Sequence, residues 1–166
     1  MTSTQEIKID KTKDASLTRV CFVCTGNTCR SPMAAAVLNH LGKGKYIAES
    51  AGIMADKGSP INPKAKEALE KMGIVSSADN DYNQHIARQL DMGIMDTCDL
   101  IVGVGAGHAM MIMQSFPLCA SKVTCFEKNI TDPFSKSQEV YDKCLAEITD
   151  CIKSMFILTE LGDNNE

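Results

Sequence analysis

Val20-Cys21-Phe22-Val23-Cys24-Thr25-Gly26-Asn27-Thr28-Cys29-Arg30-Ser31-Pro32-Met33 contains the change of pattern that decides the fold. Residues 20–24 form a short apolar, β-prone run, and the stretch from Met33-Ala34-Ala35-Ala36 to Leu41 has helical composition and is closed by Gly42. The reading is strand, loop, helix, with the helix starting at about Arg30 and Pro32 in its first turn, where the missing N–H is no loss.

Working outward, Tyr46-Ile47-Ala48 predicts a second strand, residues 64–72 a helix stopped by Gly73, residues 100–104 a third strand and residues 122–126 a fourth. His108 to Gln114 reads as helix, and its Met110-Met111-Ile112-Met113 as core. From Gln138, Val140, Cys144, Leu145, Ile148, Ile152 and Met155 recur at helical spacing. Alternating strands and helices predict an α/β fold: one doubly wound domain, a four-stranded parallel sheet with helices on both faces, and ligands at the carboxyl ends of the strands.

The 166 residues, 44% of them apolar, suit one domain at residues 19–161. Residues 1–18 lack a hydrophobic period and read as a flexible extension, and the acidic residues 162–166 as a disordered tail. Seventeen basic against 21 acidic side chains give a net charge of −4 and no basic block, which argues against nucleic acid. No apolar run approaches the roughly 18 residues of a membrane span, so the expectation is a cytoplasmic protein with no membrane partner. The eight cysteines are then expected as thiols, with Cys21, Cys125, Cys144 and Cys151 as small hydrophobes.

The loop after the first strand carries the chemistry. Thr25, Gly26, Asn27, Thr28 and Cys29 let successive backbone N–H groups curl around an anion, and the following helix N-terminus adds favourable partial charge. The same field favours a thiolate at Cys24, a nucleophile. Arg30 can grip two phosphoryl oxygens, and Ser31 can donate to the thiolate. Asp132, in Thr131-Asp132-Pro133-Phe134, is the candidate proton donor, and Phe134 a candidate pocket wall. A plain β–α turn around a buried cysteine is the structural alternative, and Asp-Pro alone is a turn signal.

The ten residues from Cys24 to Met33, together with Ser50-Ala51-Gly52, His85-Ile86-Ala87-Arg88-Gln89 and Asp132-Pro133-Phe134, resemble the low molecular weight protein tyrosine phosphatase family. The resemblance implies a flavodoxin-like four-stranded sheet and a two-step reaction on a phosphorylated protein or peptide, releasing inorganic phosphate. It makes Cys24 the nucleophile, Asp132 acid then base, and Arg30 with the loop amides the phosphate holder. Asn27, Ser31, Ser50 and His85 match a supporting polar network. Thr28, where tyrosine-directed members carry a bulky aliphatic residue, and a single Phe134 before Ser135, resemble the phosphoarginine branch. Residues 53–60 also lack an aromatic wall.

Other readings carry less. Cys24 and Cys29 are candidates for a reversible redox pair. An arsenate reductase-like thiol chemistry would need cysteines in residues 103–114, which have none, although Cys98 and Cys119 flank them. Cys21-Phe-Val-Cys24 is formally a redox spacing, but Cys21 lies back in the strand. Gly103-Val-Gly105-Ala-Gly107 echoes a dinucleotide fingerprint with one glycine misplaced, and tight strand–helix packing is the better reading. No metal or cofactor is expected, since His40, His85 and His108 have no ligand spacing and no Walker-type lysine follows the loop. A non-catalytic phosphate-binding module is the alternative from another function class.

Overall fold

In β1 (Thr18–Cys24) the side chains alternate between two cores, as strand geometry requires. Val20, Phe22 and Cys24 face one, while Cys21 and Val23 face the other. The computed structural model describes residues 17–156. Around β1 lie β2 (Tyr46–Gly52), β3 (Leu100–Gly103) and β4 (Val123–Cys125), all parallel, in the order β2-β1-β3-β4. Helices α1 (Arg30–Leu41), α2 (Pro63–Lys71) and α5 (Gln138–Phe156) cover the first face. Helices α3 (Met92–Thr97) and α4 (Ala106–Ser115) cover the second. The doubly wound four-stranded sheet read from the sequence is therefore the observed architecture.

The chain leaves β1 towards β2 and later returns to the opposite side of β1 to form β3. That reversal opens a crevice at the carboxyl ends of β1 and β3, the usual ligand position in such sheets. Residues 24–30 sit at its mouth.

Element limits shift for local reasons. The second strand runs to Gly52 rather than Ala48, because the polar Glu49 and Ser50 find partners in Arg19, Arg88 and Asn27. The fourth strand is shorter than residues 122–126, and the third ends at Gly103. Helix α3 has no apolar period of its own; Asp91 starts it by accepting the Ile94 N–H. Helix α4 begins at Ala106, and only Ala109 and Ile112 are buried, so Met110 and Met111 are exposed rather than core. Likewise Cys125 and Cys151 are only half-buried. A Cβ on Gly103 would stand 2.8 Å from the Ala109 nitrogen, so the glycine serves close strand–helix packing. Thr18 already belongs to β1, one residue before the expected start at 19, while residues 1–16 and 157–166 lie outside the described residues. Among the described residues no helix is long and apolar enough to cross a membrane.

Candidate active site

The loop of residues 24–30 has six successive carbonyl groups tied down on its outer side. Those of Cys24, Thr25 and Gly26 accept the N–H groups of Ile53, Met54 and Asp56, each at 3.0 Å. The Asn27 carbonyl meets His85 Nε2 at 2.7 Å, Thr28 accepts Asn62 N–H at 2.9 Å, and Cys29 accepts Met33 N–H at 3.1 Å. Each peptide N–H points opposite its carbonyl. Those of Thr25 through Arg30 therefore turn inward, and none donates to a protein acceptor among the described residues. Such a row of inward N–H groups, continued by the α1 N-terminus, has the geometry to hold an anion.

Gly52 lets the loop lie this close, since a Cβ there would be 2.5 Å from the Thr25 carbonyl oxygen. Asn27 shapes the inner turn at φ 61°, a left-handed conformation that asparagine tolerates. Its Oδ1 accepts the Arg88 N–H at 2.9 Å, which fixes the amide orientation. Nδ2 then donates to Ser31 Oγ at 2.8 Å and to Ser50 Oγ at 3.0 Å. Ser31 Oγ, which accepts from Asn27, lies 2.9 Å from Cys24 Sγ and 3.4 Å from the Ala51 carbonyl, so its one hydrogen has an acceptor in either direction. Burial and the nearby Arg88 charge lower the His85 pKa against the pull of the Asn27 carbonyl.

Cys24 lies at the root of the row of inward N–H groups, only 3% exposed. Arg30 is also buried, its Nη1 donating to the Ile130 carbonyl at 3.3 Å and its Nη2 lying 3.5 Å from Asp132 Oδ2. Asp132 comes from the segment after β4 and is half-exposed, with Oδ1 accepting the Phe134 N–H. Thus Cys24, Arg30 and Asp132, separated in sequence by up to 108 residues, converge at the crevice. Phe134 is largely exposed beside them. The Thr28 hydroxyl lies 3.6 Å from Cys29 Sγ, which also contacts Tyr141 Oη at 3.3 Å. Burial raises the Cys29 thiol pKa against the hydrogen bonds from Tyr141 and Thr28. Cys21 points into the opposite core from Cys24, which removes the Cys-x-x-Cys reading.

The sequence assigns no role to several further neighbours. Residues 53–62 supply backbone donors to the loop, and exposed Met54 stands beside it. Arg88 joins Glu49 at 3.2 Å and the Ser50 carbonyl at 3.0 Å. His108 Nε2 lies 3.1 Å from Thr25 Oγ1. Cys144, pushed up to about 12 by burial against the Arg30 charge, backs the arginine. A cavity of about 240 Å³ lined by Asn39, Ser50, Asn80, His85 and Arg88 lies behind the network, away from Cys24. Among the described residues no cluster of three or more His, Cys, Asp or Glu is placed to hold a metal ion.

Residues 19–166 match the family model described as low molecular weight phosphotyrosine protein phosphatase. A protein-arginine-phosphatase of Geobacillus stearothermophilus is 36% identical over 130 residues, covering 74% of this chain and 83% of its own. A probable low molecular weight protein-tyrosine-phosphatase, EpsP of Ralstonia solanacearum, is 33% identical over 133 residues, covering 78% and 87%. Among solved structures, Vibrio vulnificus Wzb in complex with benzylphosphonate superposes with a TM-score of 0.76 at 27% identity, over 86% of this chain and all of the other.

Proposed function

The chain belongs to the low molecular weight phosphotyrosine protein phosphatase family, and from that premise we propose that it dephosphorylates proteins through a phosphorylated Cys24. The observation that carries this reading is the set of six outward carbonyls with Cys24 at the root of the inward N–H groups. The phosphoryl group rests on those amides, and Arg30 holds two of its oxygens in a planar fork. The Cys24 thiolate attacks phosphorus in line, while Asp132 gives its proton to the leaving group. Asp132 then takes a proton from water, whose oxygen attacks the cysteinyl-phosphate. Inorganic phosphate departs, and the Ser31 O–H stabilises the returning thiolate. Asn27, Ser50 and His85 keep the loop in shape. No step calls on a cofactor. Because Cys24 has to be a thiol, the cytoplasm is the compartment this reading favours.

The substrate is phosphotyrosine or phosphoarginine, with Thr28 and Phe134 beside the leaving group. Relatives of both names match the chain. The test is kcat/KM on matched phosphotyrosine and phosphoarginine peptides for wild type, Cys24→Ser and Thr28→Ile. A phosphoarginine preference that Thr28→Ile reverses makes Thr28 the selector. A phosphotyrosine preference untouched by Thr28→Ile removes that role. Full activity in Cys24→Ser would refute the nucleophile.

A further inference from the structure

His108 belongs to none of the motifs, yet its ring joins α4 to the loop. The Gly105 N–H donates to His108 Nδ1 at 3.2 Å. A backbone N–H can only donate, so Nδ1 carries its lone pair and the proton of the neutral ring is on Nε2. Nε2–H therefore donates to Thr25 Oγ1 at 3.1 Å. Thr25, having accepted, keeps its own hydroxyl hydrogen for a further bond, and it is exposed at the crevice directly after Cys24. The imidazole also faces Arg30 on α1 and Asp132 after β4. Burial and Arg30 hold it towards the neutral form, and Asp132 opposes them. Closing the turn at the start of α4 needs only Nδ1. The second bond, to a residue 83 positions away across the crevice, is surplus to that structural task.

We propose that His108 is a positioning residue that orients the Thr25 hydroxyl as a donor to the phosphoryl group held in the loop. Resting on the phosphatase reading, it adds a donor relay running from Gly105 N–H through the His108 ring and Thr25 Oγ1 to a phosphoryl oxygen. No bond is broken along this relay. Its effect is orientation, because a hydroxyl whose acceptor lone pair is engaged has fewer directions in which to donate.

Two substitutions separate this role from plain capping. In His108→Asn the side-chain oxygen can still accept the Gly105 N–H, but the chain is too short to reach Thr25. In His108→Gln the amide nitrogen takes the place of Nε2. With 4-nitrophenyl phosphate, His108→Asn is expected to lose about five- to tenfold in kcat/KM, the worth of one neutral hydrogen bond, at an unchanged thermal midpoint. His108→Gln should recover to within about twofold. Thr25→Val should show the same loss as His108→Asn, and the double variant no more than either, because both remove one relay.

A second readout does not depend on turnover. Histidine ring signals in NMR should show inorganic phosphate raising the pKa of His108. Multiplicative losses in the double variant, a glutamine variant no better than the asparagine one, or no response of His108 to phosphate would each overturn the proposal. If wild type turns over no faster than Cys24→Ser, the phosphatase reading fails. The phosphate response of His108 and its loss in Thr25→Val then decide the relay separately.

Discussion

Asn27→Ala is the perturbation that most directly tests whether the loop is held from behind. The side chain is fully buried and makes three hydrogen bonds, to Ser31 Oγ, Ser50 Oγ and the Arg88 N–H. Their removal leaves those groups without this partner, and at about 1 kcal/mol each the loss is about 3 kcal/mol. Alanine at a φ of 61° adds about 1 kcal/mol of backbone strain. The sum, about 4 kcal/mol, is a large part of the roughly 5–15 kcal/mol that hold a domain together. For a chain of this size it lowers Tm by about 8–16 °C in a thermal melt. Asn27→Gly separates the two contributions, because glycine adopts the same φ freely and loses only the hydrogen bonds. It should be more stable than Asn27→Ala by about 1 kcal/mol, while turnover falls in both because the inward N–H groups lose their template. An Asn27→Ala protein within about 1 kcal/mol of wild type, or one no less stable than Asn27→Gly, would refute the reasoning.

Asn39 closes the exposed edge of the sheet by pairing with Ala48, donating to its carbonyl at 3.0 Å and accepting its N–H at 2.8 Å. Asn39→Ala should therefore cost about 1–2 kcal/mol and introduce concentration-dependent association in light scattering, as an uncovered strand edge does. Both His85 and His108 have pKa values lowered in the folded protein, so their contribution to stability is complete above the ordinary value of 6.5 and is lost as pH falls below it. Thermal melts between pH 7.5 and 5 should show Tm falling on the acid side, with a shallower fall in His85→Gln. Hydrogen peroxide should convert Cys24 and Cys29 into one disulfide that dithiothreitol reverses, and Cys29→Ser should instead be oxidised irreversibly at Cys24, as peptide mass mapping would show.

The sheet and the loop were legible because their signals are local. The apolar run of β1, Gly26 and Pro32 fall within 13 consecutive residues, and β–α–β alternation leaves few arrangements of the rest. What failed to show is what depends on distant partners. Glu49 and Ser50 break the apolar run of β2 and hide its second half, yet Arg19, Arg88 and Asn27 satisfy them there. Gly105-Ala106-Gly107 reads as loop by propensity, but the His108 ring closes that turn and α4 starts there. Met110 and Met111 read as core by composition, and α4, which touches the sheet along one narrow stripe, leaves them outside.

The loop itself shows where legibility ends. The side chains on which the proposed chemistry rests were easy to pick out, because a thiol, a guanidinium and a carboxylic acid are distinctive. The donors that hold its outer side were not, because backbone N–H groups hold four of the six outward carbonyls from residues 53–62, and any non-proline residue has such a group. Of those donors only Asn62 also marks itself by side chain, as the cap of α2. Ile53, Met54 and Asp56 therefore act through their position in the chain rather than their identity. Proline at residue 54 would remove the N–H that holds the Thr25 carbonyl and allow that peptide to rotate, whereas alanine at residue 54 would leave it in place. Loss of phosphate binding in Met54→Pro but not in Met54→Ala, measured by calorimetry, would separate a backbone role from a side-chain one. Equal losses in the two variants would assign the effect to the exposed thioether instead.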